Sequence, residues 1–567
     1  MRHAEIDSNY SARTSCTLAV LASALVAGCS GYGGDDGQPA PPPEITMNVQ
    51  PASILAGGSA TLTWSTDAAA TCDARGGWTG NQPTAGTLVV APTVAGTIDF
   101  TLICTSPGGG RYGAASTASR TATLTVNEST TFSRTVLLAD TADAVRIDRN
   151  LVNPWGIAVG PVGPAWIANH RTATATLYDG AGNAAPAVDP LVVNFPTDAG
   201  GASFAPTGIV FNGSGNFVVT AGELAAPALF LFAGERGSIA GWSPAVDLEN
   251  ASVTYTDDRG AVYKGLALAT DGTEAFLYAT DFFNNRVDVF DSAFRKQPAT
   301  ADRFAFSDPT LPAGYAAFGI QSLPTGAGGA PQLYVTYARQ LAPDNRDSVA
   351  GAGLGLVNVF DTGGRLVRHL IPAGGSLNAP WGIALAPPDL GVFANALLVG
   401  NFGDGQIHAF NLATSEELAA LRDSAGGRFT APGLRGIAFG NDHVNQPHDA
   451  LFFTAGPNDA ENGAYGRLDV GATPPNLHQA PAVTLTAPAA GEVQGTVAVT
   501  ANVVADATIA SVEFFADRTS LGVVTTAPFT VEWDTSDVPN GPVLLTARAR
   551  DVDGNVDTGV TGVLVAN

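Results

Sequence analysis

A glycine followed by an apolar strand returns six times through the middle of the chain, and a repeat of that length constrains the architecture before any local reading does. It reads PWGIAV at Gly156, PTGIVF at Gly208, YKGLAL at Gly265, AFGIQS at Gly319, PWGIAL at Gly382 and LRGIAF at Gly436, spaced by 52, 57, 54, 63 and 54 residues. A second apolar run follows each landmark (PAWIAN, NFVVTA, AFLYAT, QLYVTY, ALLVGN, ALFFTA), and usually a third that ends in Asp or Asn (ATLYD, RVDVFD, LVNVFD, QIHAFN). These runs are short and carry no 3.6-residue periodicity, so each period holds about four strands and no helix. A period near 56 residues built this way is one blade of a β-propeller, and six periods predict six blades. The last period runs short after Gly466 to Val470, and Ser133 to Ala139 (SRTVLLA) lies upstream of the first landmark. That early strand is expected to complete the sixth blade, joining residues more than 300 apart.

The flanks are β-rich in a different way. Residues 44–127 alternate apolar and polar positions in Thr/Val-rich runs, as in Ala60 to Trp64, Thr97 to Cys104 and Ala122 to Val126. Residues 481–567 do the same in VTLTAP, TVAVTANVV, SVEFFAD, FTVEWDT and VLLTARARD, with Gly, Pro and Asp turns every 8 to 15 residues or so. Both read as β-sandwiches, which makes the chain all-β: a six-bladed propeller over 132–472 flanked by two Ig-like sandwiches. SATLTWSTDAAATCDARGGWTG with TLIC, and SVEFFADRTSLGVVTTAPFTVEWDTSDVPNGPVLLTARARDVDGNVDTG, resemble bacterial Ig-like domains. The first resemblance implies that a Cys pair ties the two sheets and that a Trp fills the core; Trp64 and Trp78 are expected to be packing residues. GLALATDGTEAFLYATDFFNNRVDVFD resembles an NHL repeat. LVNPWGIAVGP at 151–161, echoed by LNAPWGIALAP at 377–387, resembles a bacterial family of exported six-bladed propellers that has no established activity and so lends none here.

The N-terminus gives an address. Thr17 to Gly28 is an apolar run too short to span a bilayer, preceded by Arg2 and Arg13 and ending in small residues before Cys29. LVAGC resembles the bacterial lipobox, which implies a lipoprotein signal at 1–28, a lipid on Cys29 and a flexible tether at 29–43. With Cys16 in the signal and Cys29 at the anchor, Cys72 and Cys104 remain as one pair for a disulfide in an oxidising compartment. Closing that loop is worth about 3 to 4 kcal/mol. The charge balance of 51 acidic against 27 basic residues, net −24, has no basic cluster and argues against nucleic acid as a partner.

In a propeller the loop before each innermost strand and the loop after the second strand line an axial funnel. The pre-glycine residues Trp155, Thr207, Lys264, Phe318, Trp381 and Arg435 should therefore form a ring, with Lys264 and Arg435 across the axis from each other. Adjoining loops add Asn169, His170, Glu223, Asp281, Arg339, Asn401, Asp404, Asn458 and Asp459. Two aromatic plates, several cations and carboxylates suit a polysaccharide or protein ligand held by stacking, hydrogen bonds or charge. The competing class is an enzyme. Six-bladed propellers resembling gluconolactonases hold a divalent ion with Glu, Asn and Asp just before the inner-strand glycines. Here those positions carry no carboxylate or amide oxygen, and two are cations, so metal-assisted hydrolysis is the second reading; a calcium ion would have to rest on Asn169, Asp281, Asn401 and Asp459. No cofactor is expected. Asp551 to Asp557 reads as an Asp-Gly hairpin turn before a calcium loop, and His443 and His448 read as surface residues rather than metal ligands.

Overall fold

The computed structural model describes residues 40–567, apart from 51, 56–59, 68, 70, 91, 93–95, 108–113, 128–129, 143, 198–200, 327–328 and 472. The signal at 1–28, Cys29 and all but the last residues of the tether lie outside the described residues. The chain is all-β and forms two compact units, Met1–Asn127 and Glu128–Asn567.

In the first unit, Ile45–Gln50, Ala60–Thr66 and Ala85–Val90 form one sheet, while Thr117–Asn127, Gly96–Thr105 and Thr71–Gly76 are the centre of a five-stranded second. Alternation places Leu62, Trp64, Leu102 and Leu124 between the sheets. Trp64 packs edge-on to Trp78 at 4.8 Å, and its indole donates to the Pro83 carbonyl at 2.9 Å. Cys72 and Cys104 are bonded, but not between sheets. They face each other in register on the neighbouring strands Thr71–Gly76 and Gly96–Thr105, with Cα atoms 4.1 Å apart. The bond staples one hydrogen-bonded ladder, and the two layers are held by apolar packing instead.

The second unit opens with six separate sheets, here I to VI. Their first strands are Pro154–Val159, Pro206–Phe211, Tyr263–Asp271, Tyr315–Leu323, Pro380–Leu385 and Leu434–Phe439. Each pairs antiparallel with a second strand, in order Ala165–Asn169, Phe230–Gly234, Glu274–Asp281, Gln332–Arg339, Leu397–Asn401 and Leu451–Ala455. In sheet II the run NFVVTA does not supply that strand. Val218–Ala221 folds into a hairpin of its own with Leu224–Pro227, and Phe230–Gly234 takes the place beside the first strand. In sheet VI, Ala464–Val470 pairs antiparallel with Thr131–Ala139, so a strand from before sheet I closes the last sheet.

The six landmark glycines have one common cause. A Cβ on Gly156 would lie 2.6 Å from the Thr207 carbonyl oxygen, on Gly208 2.6 Å from the Leu266 nitrogen, and on Gly265 2.9 Å from the Ile320 nitrogen. On Gly319 it would lie 2.0 Å from the Trp381 oxygen, on Gly382 2.4 Å from the Arg435 oxygen, and on Gly436 2.7 Å from Ile157 and 2.8 Å from the Trp155 oxygen. Each first strand thus touches the next, and the sixth touches the first. Only glycine permits backbones to pass so closely. Threonines on second strands stitch the joints. Thr280 takes the Gly265 N–H at 2.7 Å and donates to the Phe318 carbonyl at 2.7 Å; Thr454 takes the Gly436 N–H at 2.9 Å and donates to the Trp155 carbonyl at 2.5 Å. Apolar cores fill the space between neighbouring sheets, such as Phe276, Tyr278, Val335 and Phe360 between III and IV.

The last sheets share this unit. Ala482–Ala487, Thr496–Val504 and Phe529–Asp534 face Val556–Val565, Gly541–Asp551, Ile509–Ala516 and Thr519–Val524 over a core of Val499, Phe514, Trp533 and Leu545. Asp551 accepts the N–H groups of Asp553 and Asn555, both at 2.9 Å, closing the Asp-Gly turn at the end of Gly541–Asp551. That turn meets the 440–449 loop of sheet VI. Asn445 donates its N–H to the Val556 carbonyl at 2.9 Å and accepts the Val556 N–H at 3.0 Å. Arg548 bridges Asp442 at 2.5 Å and Glu513 at 2.6 Å. His443 and His448 lie half-buried in this junction, and His448 touches both Asp442 at 2.9 Å and Asp389 at 2.7 Å.

Candidate functional site

Each first strand bulges at its landmark: the pairing jumps from Pro154 to Ile157, Pro206 to Ile209, Tyr263 to Leu266, Ala317 to Ile320, Pro380 to Gly382 and Leu434 to Ile437. A bulge re-aims side chains out of the alternating pattern. Here it brings five of the six pre-glycine residues together. The Trp155 ring lies 5.6 Å from Trp381 and 6.3 Å from Phe318, with Lys264 Nζ at 5.0 Å and the Arg435 guanidinium carbon at 4.2 Å. Thr207 stays out of the cluster, its hydroxyl bonding the Tyr263 carbonyl at 2.9 Å. Above the cluster is a cavity of about 700 Å³ lined by Trp155, His170, Glu235, Lys264, Phe402 and Arg435 among others. Its volume is in the range of small-molecule sites.

The rings are not open plates. Trp155 is 5 % exposed and Trp381 8 %. The residues that follow the second strands form the next tier: His170, Glu235, Phe402 and Gly456 line the cavity, Phe282 joins the aromatic cluster, and Gln340 donates to the Phe282 carbonyl at 2.7 Å. Glu235 and Phe402 were not among the residues singled out from sequence. Glu223, chosen for sheet II, sits exposed at the tip of the extra hairpin, and Glu235 holds the position equivalent to His170. Asn169, Asp281 and Asn401 end second strands and are buried, turned to their own turns. Asn169 donates to Thr174 and Thr176, Asp281 accepts from Val262 and Asn284, and Asn401 links Asn378 and Ser376. Asp404 accepts the Gln406 N–H at 3.0 Å, and Arg339 is exposed at the end of its strand. Asn458 and Asp459 do line the cavity, in a turn where Asn458, Asp459 and Ala460 all take left-handed backbone angles. Such a run is strained by about 1 to 2 kcal/mol per residue.

The two cations differ. Lys264 is bonded to Glu235, which also accepts from His170 at 2.7 Å, and Asp347 lies 3.7 Å away. Burial works to raise the Glu235 carboxyl, but Lys264 and His170 outweigh it and hold it well below the ordinary carboxylate range. The Arg435 guanidinium carbon lies 4.2 and 3.8 Å from the ring centres of Trp155 and Phe402, and the residue is 4 % exposed. Among the described residues it has no carboxylate in ion-pair contact; one Nη donates to the Gly433 carbonyl at 3.4 Å, and Nε has no partner. Burial pulls the guanidinium below its ordinary value, against the pull of Glu235 and Asp347. The indole N–H groups of Trp155 and Trp381 are also buried without a partner. Among the described residues no group of three or more His, Cys, Asp or Glu side chains is arranged to hold a metal ion, and no helix is long and apolar enough to cross a membrane.

Known proteins place the chain in company. It is 34 % identical over 336 residues to an uncharacterised protein of Acanthamoeba polyphaga mimivirus, covering 58 % of this chain and 77 % of that protein. The chain belongs to that protein's family. A second uncharacterised protein of the same virus is 28 % identical over 337 residues, 57 % of this chain and 82 % of that one. Residues 481–547 match the bacterial Ig domain family. Among solved structures, a streptogramin B lyase is 14 % identical over 57 % of this chain and 95 % of its own, with a TM-score of 0.31. A PQQ-bound aldose sugar dehydrogenase from Streptomyces coelicolor is 14 % identical over 60 % and 99 %, with a TM-score of 0.34. Scores that low carry nothing about chemistry to this chain.

Proposed function

We propose that the chain is an exported binding protein displayed at the cell surface. In this reading residues 132–472 are a six-bladed propeller of the exported LVNPWGI type, held between Ig-like sandwiches at 44–127 and 481–567 that act as spacers. The signal at 1–28 and a lipid on Cys29 would fix it to a membrane through the 29–43 tether, and the funnel would recognise a polysaccharide or protein ligand. The observation that carries the reading is the convergence of pre-glycine side chains from four sheets, Trp155, Lys264, Phe318 and Arg435, at one cavity, around a buried guanidinium whose Nε has no partner. A buried donor without a partner calls for an explanation, and a ligand with acceptor groups in the cavity is one that fits. Metal-assisted hydrolysis draws no support from the geometry. The oxygens of Asp281 and Asn401 are engaged in their own turns, which leaves Oδ1 of Asn169 as a lone buried oxygen without a partner, and Lys264 and Arg435 line the cavity that an ion would have to enter.

Glycan-array and surface-extract binding by the full chain tests this reading. Saturable binding that is lost when Trp155 and Arg435 are replaced is expected. Binding that survives those changes, or turnover of lactones or esters that requires added calcium, would overturn it.

A further inference from the structure

We infer that the funnel takes the carboxylate of a sugar acid, bound edge-on to Arg435. This rests on reading the cavity as a ligand site and goes on to name the ligand's chemistry. The Trp155 and Phe402 ring centres lie 4.2 and 3.8 Å from the guanidinium carbon, and the Nε edge of the guanidinium has no partner. A planar carboxylate with two acceptor oxygens matches that edge bidentately. Oδ1 of Asn153 is an unpartnered acceptor among the lining residues and suits a sugar hydroxyl, whereas the unpartnered nitrogens of the lining residues, Nε of Arg435 and Nε1 of Trp155, are both donors. A group that only accepts is what they lack. Lys264 does not compete for this role, because Glu235 already holds it.

The rest of the cavity fits a polyhydroxylated body better than an apolar one. Asn153, Asn458, Asp459 and Ser348 supply amide, carboxylate and hydroxyl groups around it, and such groups suit vicinal hydroxyls. Because Trp155 and Trp381 are buried, ring stacking on a neutral sugar is not what the site offers. The carboxylate would be the anchor and the hydroxyls would set orientation. The acid could be a free monosaccharide or the end of an acidic polymer, and the two call for the same contacts.

Isothermal titration of the full chain with galacturonate, oligogalacturonates of two to six units and their methyl esters tests the inference. Binding of the acids, lost on esterification, is expected. Arg435→Met should weaken it by at least about 30-fold, as for removal of one partner of a buried charged pair. Arg435→Lys keeps the charge without the fork and should still lose about tenfold or more. Thermal unfolding of both variants shows whether they fold, and quenching of tryptophan fluorescence by the acids in wild type gives an independent readout. Tighter binding of the oligomers than of the monomer identifies a polymer end; equal binding identifies the free acid, and either supports the inference. Equal binding of acids and esters would overturn it while leaving a glycan-binding funnel standing. Failure of every acid to bind would overturn it as well, and the array experiment then decides separately whether the funnel binds anything.

Discussion

Replacing Gly319 by alanine probes the joint between sheets IV and V. The new methyl carbon would start 2.0 Å from the Trp381 carbonyl oxygen and 2.9 Å from the Thr336 hydroxyl, where ordinary contact is 3.4 to 4 Å. Both neighbours are fixed, one by the backbone and the other by its bond to the Gly319 N–H at 2.8 Å. Relief requires the two first strands to move apart by more than about 1 Å. Overpacking of this kind costs about 1 to 3 kcal/mol or more, against about 0.4 to 1 kcal/mol gained by stiffening the unfolded chain. The net is a loss of about 2 kcal/mol, visible as a thermal midpoint lower by about 2 °C in differential scanning calorimetry. Gly375→Ala, in open space with an unstrained backbone, is the control and should be neutral or slightly stabilising. The other landmarks should grade with their clearances, Gly382 at 2.4 Å suffering more than Gly265 at 2.9 Å. If Gly319→Ala is tolerated as well as Gly375→Ala, the first strands do not touch as described.

Three further outcomes rest on other contacts of the same fold. Arg435→Met, which removes a buried guanidinium lacking an ion-pair partner, should leave the ligand-free thermal midpoint unchanged or raised, because an uncompensated buried charge costs several kcal/mol; a fall of several degrees would assign Arg435 a structural role. His448 is raised to about 9, chiefly by its bond to Asp442. A raised base stabilises the fold fully below its unfolded value near 6.5 and loses that contribution as pH rises through about 9, here about 1 to 2 kcal/mol after allowing for partial exposure. His448→Gln should flatten the stability of the second unit between those pH values, and a persisting slope would point to other groups. Reducing the Cys72–Cys104 bond, with 32 residues of separation, should lower the stability of the first unit by about 3 to 4 kcal/mol, read as a shift in its urea midpoint.

The repeat was legible in the sequence because its glycines answer a steric need that no other residue meets. Gly156 through Gly436 mark where first strands touch, so the pre-glycine residues Trp155, Lys264, Phe318, Trp381 and Arg435 could be placed together from spacing alone. Glu235 was not legible. NFVVTA has the composition of a core strand, and nothing local distinguishes it from ALFLFAG, so the count of strands slipped by the two strands of the extra hairpin in sheet II and pointed to Glu223. Asn169, Asp281 and Asn401 ended the right strands, but a short polar side chain chooses between the cavity and its own backbone by turn geometry that composition does not encode. The disulfide pair was found by elimination, whereas its place within one sheet depended on which strands became neighbours. The bare Arg435 edge is a property of what fails to reach it, which only three-dimensional packing can decide.

A crystal structure of the full chain soaked with galacturonate would show both the ring of first strands and the occupant of the Arg435 edge. Six separate sheets whose first strands touch in a ring, with a carboxylate on the edge of Arg435 beside Trp155 and Phe402, are expected. An Arg435 paired to a protein carboxylate, or landmark glycines standing apart from the neighbouring strands, would contradict this arrangement.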